Sequence, residues 1–292
     1  MKNKLLGIPY IIWMAIFVVA PLILVVIFAF TGRNGGFTLE NFSTMNQYVG
    51  VFGDSFLLAL VATMACIFIG YPLAYFLSRE NAALKGMAMM LIMLPMWMNF
   101  LLRTYSWMSL LEDTGLLNRL FQAIHLIDLV NVIGSSMAGL LNQPYEPIEF
   151  FHMINTPGAV ILGMVYNFLP FMVLPIFSVI DKIDHRVIEA AQDLGADSTV
   201  VFRRIIFPLS LPGVLSGVTM VFIPSVSTFV ISGLLGGGKT MLLGDLIQMQ
   251  FSGNTYNPNL GSAISLVMMV IVLVCISIMN RFGSGGEEAV VL

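Results

Sequence analysis

Six separate stretches of mostly apolar residues run through this 292-residue chain, each long enough to cross a lipid bilayer. A bilayer core about 30 Å thick requires roughly 20 such residues per helix. The spans are read at about 8–30, 56–77, 87–108, 158–180, 208–232 and 260–279. Lys2 and Lys4 precede the first stretch as they would a secretion signal. Its apolar run is too long for one, and no small-x-small cleavage site follows Phe30, so it reads as a retained span. Composition agrees: 58% of residues are hydrophobic and 10% charged, outside the soluble range. Pro72, Pro95, Pro170, Pro175, Pro212 and Pro224 fall inside the spans. Each frees backbone groups that only neighbouring protein or a wet cavity can satisfy, which favours a bundle over isolated anchors. The expectation is an all-α membrane protein of six transmembrane helices forming one domain over residues 1–292.

Lysine and arginine placement sets the orientation, because positive charge is retained on the cytoplasmic side. With the N-terminus inside, that side collects Lys2, Lys4, Arg79, Lys85, Lys182, Arg186, Arg203, Arg204 and Arg281. The outside keeps Arg33, Arg103, Arg119 and Lys239, so both termini are expected in the cytoplasm. Glu40, Asp54, Glu112, Asp113, Asp128, Glu146, Glu149 and Asp245 then make the outer face acidic, which attracts cations if these side chains are more than solvated. Two segments exceed simple turns. Residues 116–156 form an external excursion with apolar pieces and the turn-forming run Asn142-Gln143-Pro144-Tyr145-Glu146-Pro147. Residues 181–207 are the sizeable cytoplasmic loop.

Several function classes drop out. The net charge of -3 and the lack of a basic run argue against nucleic acid. Cys66 and Cys275 sit inside spans and read as packing residues. His125, His152 and His185 are scattered without metal-ligand spacing.

The cytoplasmic loop carries the most specific pattern. Asp184 is placed to cap a short helix from His185 to Leu194, and Gly195 suits the left-handed residue that ends it. Asp197 or Ser198 then caps a second helix leading through Val200 to Ile206 and Pro208. Ala190, Ala191 and Gly195 are small enough to let another surface approach the backbone. Glu189 and Asp193 form an acidic i,i+4 edge, mildly destabilising in isolation and relieved by a cationic partner. Glu189-Ala190-Ala191, Gly195, Ile205 and Pro208 together resemble the motif E-A-A-x3-G-x9-I-x-L-P of type I ABC importer permeases, with Phe207 where that pattern has Leu. The resemblance implies that Glu189, Ala190, Ala191, Asp193 and Gly195 belong to a coupling helix seated in a separate cytoplasmic ATPase. It implies an ATPase dimer that binds ATP and Mg, a second homologous permease chain and a periplasmic solute-binding protein. No cofactor and no catalytic site are expected on this chain.

Other stretches narrow the likeness. Leu101-Leu102-Arg103-Thr104-Tyr105-Ser106-Trp107, Leu110-Leu111, Gly115-Leu116-Leu117-Asn118, Pro21-Leu22 and Ser78-Arg79 resemble permeases for polyamines such as spermidine and putrescine. A polycation path needs polar and aromatic groups facing the bundle interior. Ser225, Thr228 and Ser232 fall at i, i+3 and i+7 on the fifth span, beside Phe222 and Phe229, with Tyr166 and Asn167 on the fourth. The same residues equally suit packing between helices. No carboxylate lies deep in a span, so specificity is expected to rest partly with the partner permease or the binding protein. Asp54, Lys239 and Asp245 are read as outer-mouth positions where a binding protein docks, and Arg103 as a structural residue that snorkels or pairs with an outer acid.

Gly233 to Thr240, GLLGGGKT, matches the phosphate-loop pattern letter for letter. A phosphate loop follows a buried strand and faces the cytosol, whereas this octet leaves an apolar span on the outer side, so the match is read as accidental. Three alternatives stay open: a permease for another small solute, a secondary transporter, and a membrane-embedded enzyme. The last two lack their usual marks here, intramembrane ionisable residues and clustered acids or histidines.

Overall fold

The computed structural model describes residues 8–32, 35–141, 144–253 and 256–283. Lys2, Lys4, Arg33, Asn142 and Gln143, used in the reading above, lie outside them. Helices make up most of the described residues, with a single isolated bridge between Thr31 and Phe37.

Three long helices form the centre. α2 (Val49–Ser78), α7 (Pro157–Ile180) and α9 (Ser198–Ser227) pack against one another. Ala62 and Cys66 of α2, Met164, Met172 and Ile176 of α7, and Val221 of α9 are fully buried there. Close approach depends on missing side chains. A Cβ on Gly213 of α9 would lie 2.8 Å from the Pro175 carbonyl oxygen and 3.1 Å from Ile176 Cα, so α9 rides on the backbone of α7. α7 runs unbroken through Pro170 and Pro175, and α2 through Pro72.

α1 (Ile8–Ala29) and α12 (Pro258–Gly283) pair at the periphery, and the apolar faces of α1 are exposed along its length. Its helix opens into a π turn at Ala15–Val19, just ahead of Pro21, whose nitrogen cannot donate back along the helix.

Two expected spans differ in the structure. The third is broken: α3 (Ala82–Met93) passes through a tight turn, Leu94–Trp97, and the chain then bends by 92° into α4 (Phe100–Leu111). Pro95 takes a donor out of the helix, and Asn99 starts a new one by accepting from the amides of Leu101 and Leu102 at 2.8 and 3.4 Å. The fifth span ends at Ser227 instead of running to Ser232. Thr228 is extended (ψ 141°), and a separate helix, α10 (Val230–Leu235), follows. Pro224 weakens the last turn of α9, and the Ser227 hydroxyl donates back to the Ile223 carbonyl at 3.2 Å. Among the described residues, five helices are therefore long and apolar enough to cross a membrane, or six if the bent pair counts as one span.

The excursion over 116–156 is folded. It holds α5 (Leu116–Ala123) and α6 (Leu126–Leu141), tied to the returning chain by two asparagines. Asn118 exchanges hydrogen bonds with Phe151 at 2.9 and 3.0 Å, and Asn131 does so with Ile148 at 2.8 and 2.9 Å. α8 (His185–Asp193) lies at the opposite end of the bundle, and α11 (Leu243–Ser252) packs beside α12.

Candidate functional site

The loop from Asp181 to Phe207 builds a helix whose ends are both locked locally. The Asp184 carboxylate accepts the Arg186 amide at 3.0 Å and opens α8. Gly195 (φ +85°) closes it: the Gly195 amide donates to the Gln192 carbonyl at 2.8 Å and the Ala196 amide to Ala191 at 3.0 Å. That pair of bonds is a Schellman closure, and the left-handed residue it requires is glycine here. Asp197 accepts the Val200 amide at 2.7 Å and starts α9 at once.

Firm ends contrast with weak packing. No residue of α8 is buried. Glu189, Ala190, Asp193 and Gly195 are exposed, Ala191 is half-buried, and Leu194 is 90% exposed at the tip. Behind the helix lies a cavity of about 260 Å³, lined by Tyr75 and Ser78 of α2, by Arg79 just past its end, and by Ile188 and Gln192 of α8. Such a helix presents an acidic and apolar outer face to a partner.

The pathway candidates are distributed otherwise than the sequence spacing implies. Because α9 stops at Ser227, Ser225, Thr228 and Ser232 do not form one helical stripe. All three are buried; the Ser225 hydroxyl donates to the Val221 carbonyl at 2.7 Å, and that of Ser232 lies 3.5 Å from the Thr228 carbonyl. Phe222 packs on Phe56, ring centroids 6.1 Å apart, whereas Phe229, beside the break, stays 43% exposed. Tyr166 meets Trp107 of α4 edge-on at 5.3 Å. Asn167, 2% exposed, donates to the Gly163 carbonyl at 2.8 Å and leaves its own Oδ1 without a partner.

Arg103 departs from its expected role. It is 8% exposed, and neither its Nε nor its Nη1 finds an acceptor among the described residues. It pairs with no acid among the described residues; its guanidinium stands 5.8 Å from the Phe100 ring. The break at Asn99 is the reason, since it turns α4 inward to pack against α10 and α7.

At the far end, Asp54 and Lys239 are exposed, and neighbouring Ser55 accepts the Leu243 amide at 2.8 Å, joining α2 to α11. Asp245 turns inward as the cap of α11, accepting the Leu242 amide at 2.9 Å. Burial pushes its carboxyl above the usual range against the pull of the Ser232 hydroxyl and the Leu242 amide. The GLLGGGKT octet begins inside α10, after a helix and not a strand. Its turn needs Gly237, which is left-handed (φ +56°) and seated directly on the Asn155 side chain, where a Cβ would collide.

Residues 66–283, which include the whole α8 loop, match the family described as binding-protein-dependent transport system inner membrane component. The chain belongs to this family. It is 35% identical over 278 residues to the spermidine/putrescine transport system permease protein PotB of Haemophilus influenzae, covering 92% of this chain and 90% of that protein. It is 34% identical over 268 residues to PotB of Escherichia coli, covering 89% and 90%. In fold it matches a chain of a bacterial ABC transporter that imports alginate, with a TM-score of 0.77, 16% identity, and 97% and 96% of the two chains covered. It also matches a chain of the MetNI methionine ABC transporter, with a TM-score of 0.58, 16% identity, and 84% and 98% covered. The protein is thus a multi-pass inner-membrane transport component with the fold of ABC importer permeases.

Proposed function

We propose that this chain is the permease subunit of an ATP-driven importer of polyamines, spermidine or putrescine. It has six spans, α3 and α4 together counting as one, and both termini in the cytoplasm. It receives solute from a periplasmic binding protein, pairs with a second permease chain and is driven by an ATPase dimer that holds ATP and Mg. The observation that carries the mechanism is α8: a firmly capped, unburied helix with Glu189 and Asp193 on its outer edge and Leu194 at its tip. Sidedness is supported by Arg79, Arg203 and Arg204, which line the cavities at the α8 end.

Within this reading, Glu189, Ala190, Ala191, Asp193 and Gly195 seat the ATPase. Solute passes along the ends of the two broken helices, where Phe229 offers an aromatic face to an ammonium group and Tyr166 and Asn167 line the approach. Phe222, Ser225 and Thr228 shape the wall from behind. Asp54 and Lys239 meet the binding protein, and Asp245 holds the α11 turn beside them. Polyamine as solute rests on the 34–35% identity to PotB proteins.

One observation favours a second solute. A cationic side chain set into the interior repels a passing polycation and suits a solute that carries an anionic group, and Arg103, 8% exposed with its Nε and Nη1 unpartnered, is such a group. Proteoliposomes holding both permeases, the ATPase and the binding protein decide between these readings. ATP-dependent uptake of labelled spermidine, competed by putrescine and not by amino or organic acids, is the expected result. Uptake of a neutral or anionic solute in its place removes the polyamine assignment.

A further inference from the structure

Among the described residues a single lysine or arginine pairs with a carboxylate: Lys85 Nζ donates to Asp181 Oδ1 at 2.5 Å. Lys85 lies in the first turn of α3, and Asp181 caps the last turn of α7, three residues before Asp184 opens α8. The two side chains are 24% and 37% exposed, so the pair adds little to stability, about 0–1 kcal/mol for such surface bridges. What it does is join two bodies that otherwise scarcely touch. α8 touches the core only through the half-buried Ile188 and Ala191, with a cavity of about 260 Å³ beside them, and none of its residues packs on α3. Asp181 sits at the root of that loop, and α3 is the first arm of the helix that bends by 92° into α4, which carries Arg103 and Trp107.

We propose that the Lys85–Asp181 ion pair is the strut by which movement of the α8 loop reaches the broken helix α3/α4. Lys85 and Asp181 are then positioning residues for transport: they touch neither solute nor nucleotide. The inference rests on the coupling role proposed for α8 and is independent of which solute is carried. An ion pair suits this task because its attraction keeps the two ends close while they stay hydrated and free to pivot.

The test uses the full complex of both permeases, the ATPase dimer and the binding protein, in nanodiscs. Nitroxide labels go on the exposed positions 68 of α2 and 102 of α4, in a Cys66→Ser, Cys275→Ser background. The unsubstituted pair is expected to change its label separation between the nucleotide-free and ADP-vanadate-trapped states. In Lys85→Glu that change is lost, and uptake per ATP hydrolysed falls about fivefold, the lower end of typical coupling factors. The charge-swapped variant Lys85→Asp with Asp181→Lys restores both. A label change retained in Lys85→Glu, or a swap that fails to restore an assembled complex, overturns the strut. Where Lys85→Glu does not assemble, Lys85→Met and Asp181→Asn take its place with the same expected losses. A label change that responds to nucleotide in a complex that takes up no spermidine removes the solute reading and leaves the strut standing.

Discussion

Helix α8 and the helix pair α4/α10 differ in almost every physical respect. α8 has two complete caps, no buried residue and an apolar tip in the open. α4 and α10 are second halves of broken helices, packed against each other, with Arg103 and Ser232 almost fully buried. A helix whose ends are fixed, and which meets the core only through Ile188 and Ala191 while its other faces stay open, is shaped for a partner. Helices that bury a charge and free backbone groups are shaped for an interior that something polar visits. The first region is expected to fail by losing function at constant stability. The interior is expected to fail by losing stability first.

The largest expected effect breaks the interior. In Gly213→Leu the new side chain meets the Pro175 carbonyl and Ile176 Cα, backbone atoms of α7 that cannot swing away. Overpacking of this kind costs about 1–3 kcal/mol. At the upper end, Tm falls by roughly 6–12 °C for a chain of this size. Thermal unfolding followed by size exclusion reads it, and an unchanged midpoint means that α9 does not ride on α7 as described.

Next comes the exposed region. Glu189→Lys reverses the outer edge of α8 while altering no contact inside the chain. Uptake is expected to fall at least about tenfold, the factor that 1.4 kcal/mol at an interface carries. The midpoint moves by no more than the roughly 0.5 kcal/mol typical of surface changes. Normal uptake by this variant in proteoliposomes removes the coupling role, and a large loss of stability makes α8 part of the interior after all.

The two regions also differ in how far the sequence discloses them. α8 is legible because every determinant is local: Asp184, Gly195 and Asp197 set its limits within a few residues of one another. The spans are legible because bilayer thickness imposes a length. The breaks are not, since apolar composition runs straight across them. Pro95 and Pro224 signal a weakness, yet Pro170 and Pro175 send the same signal inside an unbroken α7. Whether a proline interrupts a helix depends on tertiary neighbours, which is why the Ser225, Thr228, Ser232 spacing implied a stripe that the chain does not form. Asn99 was the one local clue, a cap residue in the middle of an apolar run. Pairing across 96 positions, as between Lys85 and Asp181, leaves no trace in spacing at all.

Two phenylalanines beside the second break sharpen the interior half of the comparison. Phe229→Ala removes an exposed ring and is expected to raise the KM for uptake about two- to fivefold, the value of a cation–π contact of roughly 0.5–1 kcal/mol, with stability unchanged. Phe222→Ala removes a ring packed on Phe56, and is expected to lower Tm with KM unchanged. Uptake kinetics and melting of the two variants side by side check the assignment. If the effects are reversed, the path runs past Phe222 instead.

The smallest expected effect concerns Asp245, which belongs to neither extreme. As the cap of α11 it supplies an oxygen to the Leu242 amide, and an asparagine supplies one equally well. Burial raises its pKa in the folded protein, so the charged carboxylate is a cost to the fold that is present at neutral pH and disappears as pH falls through that raised value. Asp245→Asn carries no such cost at any pH. It is therefore expected to match or slightly exceed the unsubstituted protein in Tm at neutral pH, with the difference closing on acidification. Asp245→Ala lacks the acceptor and is expected to lose about 1 kcal/mol, or roughly 2–4 °C. Melting curves of the three proteins between neutral and mildly acidic pH measure this. Should Asp245→Asn instead weaken capture of the binding protein at unchanged Tm, the carboxylate is a docking group, and the outer mouth joins α8 as a surface built for a partner.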